Sequence, residues 1–192
     1  PVIVSIGSMA ASGGYYLACA GDQIYSDPAA IIGSIGVVGG KLVLKDLFEK
    51  VGLTTEEFTK GRNAGLYSAN KQWDDRQRRL VRTMMQETYD QFTGRVMLTR
   101  KGKIADIDKV ARGRIFTAKQ AKELGMIDEL GSLARAMDAA AEKVELEKGD
   151  YDIRVLPAPK TIADFLNGGG DEARFPFRPT VQFKSDSMLS LL

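Results

Sequence analysis

The first fourteen residues constrain the fold most. Residues 1–6 are short, apolar and largely β-branched, with Val2, Ile3, Val4 and Ile6 interrupted only by Ser5, and they run into a string of small residues ending at Gly14. Six such residues cannot show a helical period, and a continuous apolar run suits a parallel-sheet strand covered on both faces. Gly7, Ser8, Ala10, Ala11, Ser12, Gly13 and Gly14 then read as a tight turn, and residues 15–20 as a short helix ended by Gly21. A buried strand handing over to a helix in this way opens an α/β chain.

The alternation continues. Residues 22–26 read as a second strand stopped by Asp27 and Pro28, and residues 31–40 as glycine-punctuated loops and short strands. Residues 42–51 place Leu44, Leu47, Phe48 and Val51 on one helical face, closed by Gly52, and residues 53–58 follow as a strand candidate. From about 74 to 100, Leu80, Val81, Met84, Met85, Tyr89, Phe92 and Val96 form the stripe of one long helix, with Arg76, Arg78, Arg79 and Arg82 on its solvated face. Residues 104–111 and 118–124 are two short helices, the second capped by Thr117 and ended by Gly125. Ile115 and Phe116, and Met126 and Ile127, are strand-like beside them, and Ser132 caps a helix over 133–146. A last strand at 151–156 and a short helix at 161–166 precede the joint Asn167, Gly168, Gly169, Gly170 and a tail with Phe175, Phe177 and Phe183. The expected organisation is an α/β domain over 1–149, an extension over 150–166, and a flexible or docking tail over 167–192.

Composition narrows the chemistry. There is no histidine, so the chain cannot by itself build a Ser-His-Asp or Cys-His unit or offer an imidazole to a metal. The single cysteine, Cys19, excludes an internal disulfide and a thiolate zinc cage, and reads as a buried small residue. A net charge of +2 gives no phosphate-tracking surface, so nucleic acid is not an expected partner. The uncharged run over residues 28–40 is broken by Gly33, Ser34, Gly36, Gly39 and Gly40 and is no membrane span. The apolar opening at Pro1, without a polar lead-in, reads as the interior of a longer protein.

Ser12 has a physical use where it stands. A serine between a strand and a helix, followed by Gly13 and Gly14, exposes its hydroxyl, while the first helical N–H groups face whatever approaches it. The N–H of Gly13 would serve an oxyanion. An ordinary tight turn explains the same residues, and the glycine spacing is not that of the α/β-hydrolase nucleophile elbow. Without histidine the available base is a lysine whose proton burial makes easier to lose, and Lys41, Lys45, Lys60 and Lys71 lie near the small-residue turns.

Met9, Ala10, Ala11, Ser12, Gly13, Gly14, Tyr15 and Tyr16 in unbroken order, then Gly33, Ser34, Ile35, Gly36 and Val37, then Gly113, Arg114, Ile115, Phe116 and Thr117 with Gln120, Ala121, Leu124, Gly125 and Asp128 through Gly131, resemble the bacterial signal peptide peptidase A family, also called protease IV. The resemblance implies a crotonase- and Clp-protease-like repeated ββα spiral with a helical C-terminal part. It implies a serine endopeptidase with a Ser-Lys dyad acting on apolar peptides such as signal-peptide remnants, with no metal or organic cofactor. Ser12 matches the nucleophile, Gly13 an oxyanion donor, and Gly33, Ser34, Ile35 and Gly36 the border of the substrate groove. A second oxyanion donor would come from a glycine-rich loop preceding Pro1.

The base departs from that pattern. In short members of the family the lysine lies in a segment that aligns with residues 61–66, and Ala64 takes its place here. Long members carry the serine on a C-terminal half and the lysine on an N-terminal half, and this chain resembles such a C-terminal half, completed by an upstream half of the same protein. The resemblance also implies a ring-like homo-oligomer anchored to the bacterial cytoplasmic membrane outside this chain, with the active site facing outward. Two other readings stay open: a peptide-binding scaffold in which Ser12 is a turn serine, and a crotonase-type acyl-CoA enzyme, for which a carboxylate is needed beside the Ser12 turn and the nearest in sequence is Asp22.

Overall fold

The structure is a computed structural model that describes residues 1–147 and 151–157. The chain divides into two compact units, Pro1–Met137 and Asp138–Leu192. In the first, β1 (Ile3–Ile6) runs parallel to β3 (Gln23–Ser26), with Ile3 opposite Gln23 and Ile6 opposite Ser26, and β6 (Glu129–Leu130) joins the far side of β3. A second sheet holds β2 (Met9–Ala11) parallel to β4 (Ile31–Gly33), with β5 (Ile115–Thr117) antiparallel on β4's other edge. Each successive strand pair, β1 with β2 and β3 with β4, gives one strand to each sheet. The helix α1 (Gly13–Ala18) follows the first pair, and α2 (Lys45–Lys50) and α3 (Asp75–Thr99) follow the second. This is the α/β spiral of ββα turns expected from the sequence, continued by α4 (Ile107–Val110), α5 (Ala118–Glu123) and α6 (Leu133–Lys143).

Several expectations are corrected. The small residues after Ile6 are not one tight turn: Met9, Ala10 and Ala11 form β2, because the ladder to Ile31, Ile32 and Gly33 supplies partners that their own propensities do not reveal. Strand β1 is not fully covered: Ile3, Val4 and Ser5 are half-buried and only Ile6 is buried, and among the described residues β1 is an outer strand of its sheet. Residues 53–58 form no strand, and Leu53 and Phe58 lie exposed without a ladder partner among the described residues. Helix α2 is shorter than the stripe predicts and buries none of its residues. Met126 and Ile127 are core residues ahead of β6 rather than strand. In the second unit, residues 151–157 contain no strand, with Tyr151 and Ile153 half-buried. The helix expected at 161–166 and the joint and tail over 167–192 lie outside the described residues.

The core of the first unit gathers Tyr15, Cys19, Ile24, Ile32, Ile35, and Val96 of α3. The Tyr15 hydroxyl donates to the Met126 carbonyl at 2.8 Å, and burial raises its pKa, so it remains a neutral donor. Helix α3 starts in a capping box, where Asp74 accepts from the Gln77 N–H and the Gln77 side chain accepts from the Asp74 N–H. Its C-cap, Arg100, is 1% exposed and sends two N–H bonds to the Asp128 carboxylate at 2.8 and 3.0 Å and two to the Gly125 carbonyl at 3.0 and 3.1 Å. Asp128 also accepts from the Ile24 N–H of β3 at 2.8 Å. One carboxylate thereby ties the long helix to the sheet.

Cys19 is fully buried, as the sequence leads one to expect. Burial pushes its thiol pKa up and outweighs the opposing hydrogen bond with Thr99 and the fields of Arg100 and Arg95. In the native protein Cys19 should therefore resist a disulfide-exchange reagent that labels it readily in urea; equal labelling rates would contradict the packing.

Candidate active site

Ser12 joins β2 to α1 in a conformation L-residues rarely adopt, with φ 51° and ψ −121°. A non-glycine residue held there costs about 1–3 kcal/mol unless its surroundings fix it. They do: the Ser12 N–H donates to the Gly33 carbonyl at 2.9 Å and the Ser12 carbonyl accepts from the Tyr16 N–H at 2.9 Å. The Ser12 side chain is exposed and makes no capping bond to the helix it precedes, which leaves the hydroxyl free.

The hydroxyl opens on a cavity of about 690 Å³ that Ser12, Gly13, Ser34 and Gly36 help to line. Gly33 and Ile35, expected on the groove border, are not in its wall. Gly33 is buried at φ +118°, and a Cβ there would meet the Arg114 carbonyl at 2.8 Å, so its glycine is a spacing requirement between β4 and β5. Ile35 is core, bridged to Ala111. Three of the four non-glycine residues with positive φ among those described, Ser12, Ser34 and Arg112, line this one cavity. Strain gathered at one place is the pattern of a functional site.

Helix α3 supplies the opposite wall through Thr88, Tyr89, Gln91 and Phe92, and Phe92 stands edge-on to Tyr16 with ring centroids 5.2 Å apart. The helical period of Tyr89 and Phe92 marks them for burial and does not reveal this second role. Arg112 and Gly113 complete the rim, and the only signal for them was the motif that Gly113 begins.

Residues 1–147 match Peptidase family S49. The chain belongs to that family. Relatives of this S49 chain include the chloroplastic serine protease SPPA of Arabidopsis thaliana, 34% identical over 173 residues, 88% of this chain and 26% of that protein. Protease 4 of Salmonella typhi is 30% identical over 152 residues, 79% of this chain and 24% of that protein. A putative protease of Synechocystis is 30% identical over 171 residues, covering 89% and 62%. The S49 chain thus spans about a quarter of the first two and less than two thirds of the third. Among solved structures, a putative enoyl-CoA hydratase/isomerase family protein from Hyphomonas neptunium matches 76% of this chain and 38% of its own at 23% identity, with a TM-score of 0.39.

The four lysines that the sequence of this S49 chain offers lie outside the lining of the Ser12 cavity. Lys45 is exposed and pairs with Glu49 at 3.7 Å, Lys71 is exposed and pairs with Glu57 at 3.6 Å, and Lys60 is exposed. Lys41 has a buried Nζ without a hydrogen-bond partner among the described residues, 5.5 Å from the centre of the Trp73 ring. None of them lines the Ser12 cavity, nor does any aspartate or glutamate among the described residues. Asp22, the carboxylate that an acyl-CoA chemistry would need, instead accepts from the Val2 N–H at 2.7 Å. Ala64 sits exposed in a turn, its N–H donating to the Gly61 carbonyl. Among the described residues no His, Cys, Asp and Glu cluster is arranged to hold a metal.

Proposed function

We propose that Ser12 is the nucleophile of a serine endopeptidase, with the Gly13 N–H as one oxyanion donor and a lysine from outside this chain as the general base. The observation that carries this reading is the strained, exposed and uncapped Ser12 facing the cavity. In the proposed reaction the serine oxygen attacks the scissile carbonyl carbon while its proton passes to the neutral lysine amine; the acyl-enzyme forms as the amine leaves with that proton, and water then releases the acid. An upstream half of the same protein as the source of the lysine is consistent with a cavity wall that offers none.

Apolar peptides, such as signal-peptide remnants, suit the Tyr16, Val37, Val38 and Phe92 lining. The same reading places the protein in a homo-oligomer at the outer face of the bacterial cytoplasmic membrane. Leu42, Leu47, Val51, Leu53 and Phe58, exposed along one stretch, support contact with other chains. Among the described residues no helix is long and apolar enough to cross a membrane, so an anchor would lie elsewhere.

The test is intact mass after reaction with a phosphonylating peptide probe, on this chain alone and on the full-length protein. An adduct on Ser12 in the full-length protein only is expected. Labelling of the isolated chain would return the base to a local lysine, and no adduct in either would favour a peptide-binding scaffold. Activity should also rise from neutral to alkaline pH as the lysine loses its proton, and a flat profile would remove the lysine from that role.

A further inference from the structure

Beside the Ser12 cavity lies a second one of about 460 Å³, and the two share Val37 and Tyr89 in their walls. A chain lying along the first can therefore continue into the second. The chemistry changes on the way. The second cavity is lined by Trp73, by the aliphatic Val81 and Met85, and by the guanidinium-bearing Arg78 and Arg82 of α3. No aspartate or glutamate is in its lining.

The cations there are incompletely matched. Arg78 donates through Nε to the Trp73 carbonyl at 3.1 Å, which fixes its stem and uses one of its five N–H groups. Among the described residues neither Arg78 nor Arg82 has a carboxylate partner in an ion pair. The ammonium of Lys41 lies over the Trp73 ring, buried and with no acceptor among the described residues. The acids nearest in sequence do not neutralise them: Asp74 is committed to the α3 capping box, and Asp75 is exposed on the first turn of that helix. Lys41 over the Trp73 ring, and the exposed Arg78 and Arg82 in a lining that also holds Val81 and Met85 and no acid, make this a positively charged subsite suited to an anion.

We propose that this second cavity binds a carboxylate of the peptide whose backbone lies in the Ser12 cavity, either its C-terminal carboxylate or an acidic side chain. Arg78 and Arg82 are the specificity-determining residues, and Lys41 over Trp73 adds to the field. The inference rests on the peptidase reading for the identity of the occupant. It adds to that reading a charged anchor at a fixed remove from Ser12, so apolar peptides are held by a group that their apolar residues do not supply.

The test reads binding without turnover, using the full-length protein carrying Ser12→Ala. Fluorescently labelled copies of one apolar peptide are titrated by anisotropy as the free acid, as the C-terminal amide, and as the amide with one internal glutamate. At least one carboxylate-bearing form is expected to bind about ten-fold tighter than the neutral amide, with the preference shrinking in high salt. Which of the two prevails identifies the source of the carboxylate. Adding Arg82→Gln, or separately Arg78→Gln, should erase the preference, bringing the carboxylate-bearing peptides down to the affinity of the neutral amide. Equal binding of all three peptides, or an equal loss for all three in the arginine variants, overturns the proposal. Because Ser12 labelling in the otherwise unmodified protein is scored separately, failure of the carboxylate site and failure of the peptidase reading give different results.

Discussion

Full-length protein carrying Ser12→Ala is expected to lose peptide hydrolysis by about 10⁴-fold or more, with its fold and peptide affinity unchanged. The size follows from the role proposed: a nucleophile contributes a covalent path that no neighbouring group replaces. Alanine keeps the Cβ and so accepts the same backbone at φ 51°, which makes the substitution a removal of one oxygen and little else. Ser34→Ala is the internal control. Ser34 lines the same cavity and is also strained, at φ 49°, but it follows buried Gly33 and is itself half-buried. Its loss should cost less than about ten-fold, the scale of one neutral hydrogen bond. If Ser34→Ala removed probe labelling and Ser12→Ala did not, the nucleophile would be Ser34. Initial rates on a quenched apolar peptide, with labelling by mass, read both variants.

The contrast between these two serines shows what the sequence made legible. The placement of Ser12 ahead of a helix, Thr117 as a cap, and α3 as one long helix all follow from local chemistry, because caps, glycine stops and helical stripes are written within a few residues of where they act. Strand β2 is not written so. Met9, Ala10 and Ala11 become a strand only because β4 offers a ladder some twenty residues later. Residues 53–58 show the converse, a suitable pattern that pairs with no strand among the described residues.

The site divides along the same line. Ser12, Gly13, Ser34 and Gly36 were named from the sequence and line one cavity, whereas Gly33 and Ile35 from the same motif support it from beneath. The far wall, Thr88 to Phe92, was hidden because a helix stripe specifies burial without saying whether the neighbour is core or groove. For a base the sequence offered Lys41, Lys45, Lys60 and Lys71, and none of the four lines the cavity.

Arg100 was the least visible feature, one more charge at the end of a charged helix, and its replacement should have the largest effect on stability. Arg100→Met is expected to cost about 3–5 kcal/mol, because it strands the Asp128 carboxylate and the Gly125 carbonyl where the guanidinium had satisfied both. For a chain of this size that is a fall in Tm of roughly 10 °C. Lys122→Met, which breaks only the exposed Glu129 pair, should change stability by less than about 1 kcal/mol. The acid limb carries the signature. Burial alone would raise the Asp128 pKa, but the hydrogen bonds from Arg100, Lys103 and the Ile24 N–H hold it down, from 3.8 to about 2. A depressed carboxylate stabilises the folded state above its unfolded pKa, and that stabilisation is lost as pH falls from about 4 towards 2. Arg100→Met should flatten this part of the curve, since an Asp128 without its guanidinium no longer titrates so low. Urea midpoints between pH 6 and 2, read from Trp73, the only tryptophan in this sequence, measure both effects. An unchanged acid slope in the variant would mean that Lys103 and the Ile24 N–H hold the carboxylate by themselves. Because α3 also builds the far wall of the Ser12 cavity, peptide affinity should weaken along with stability in Arg100→Met and stay level in Lys122→Met.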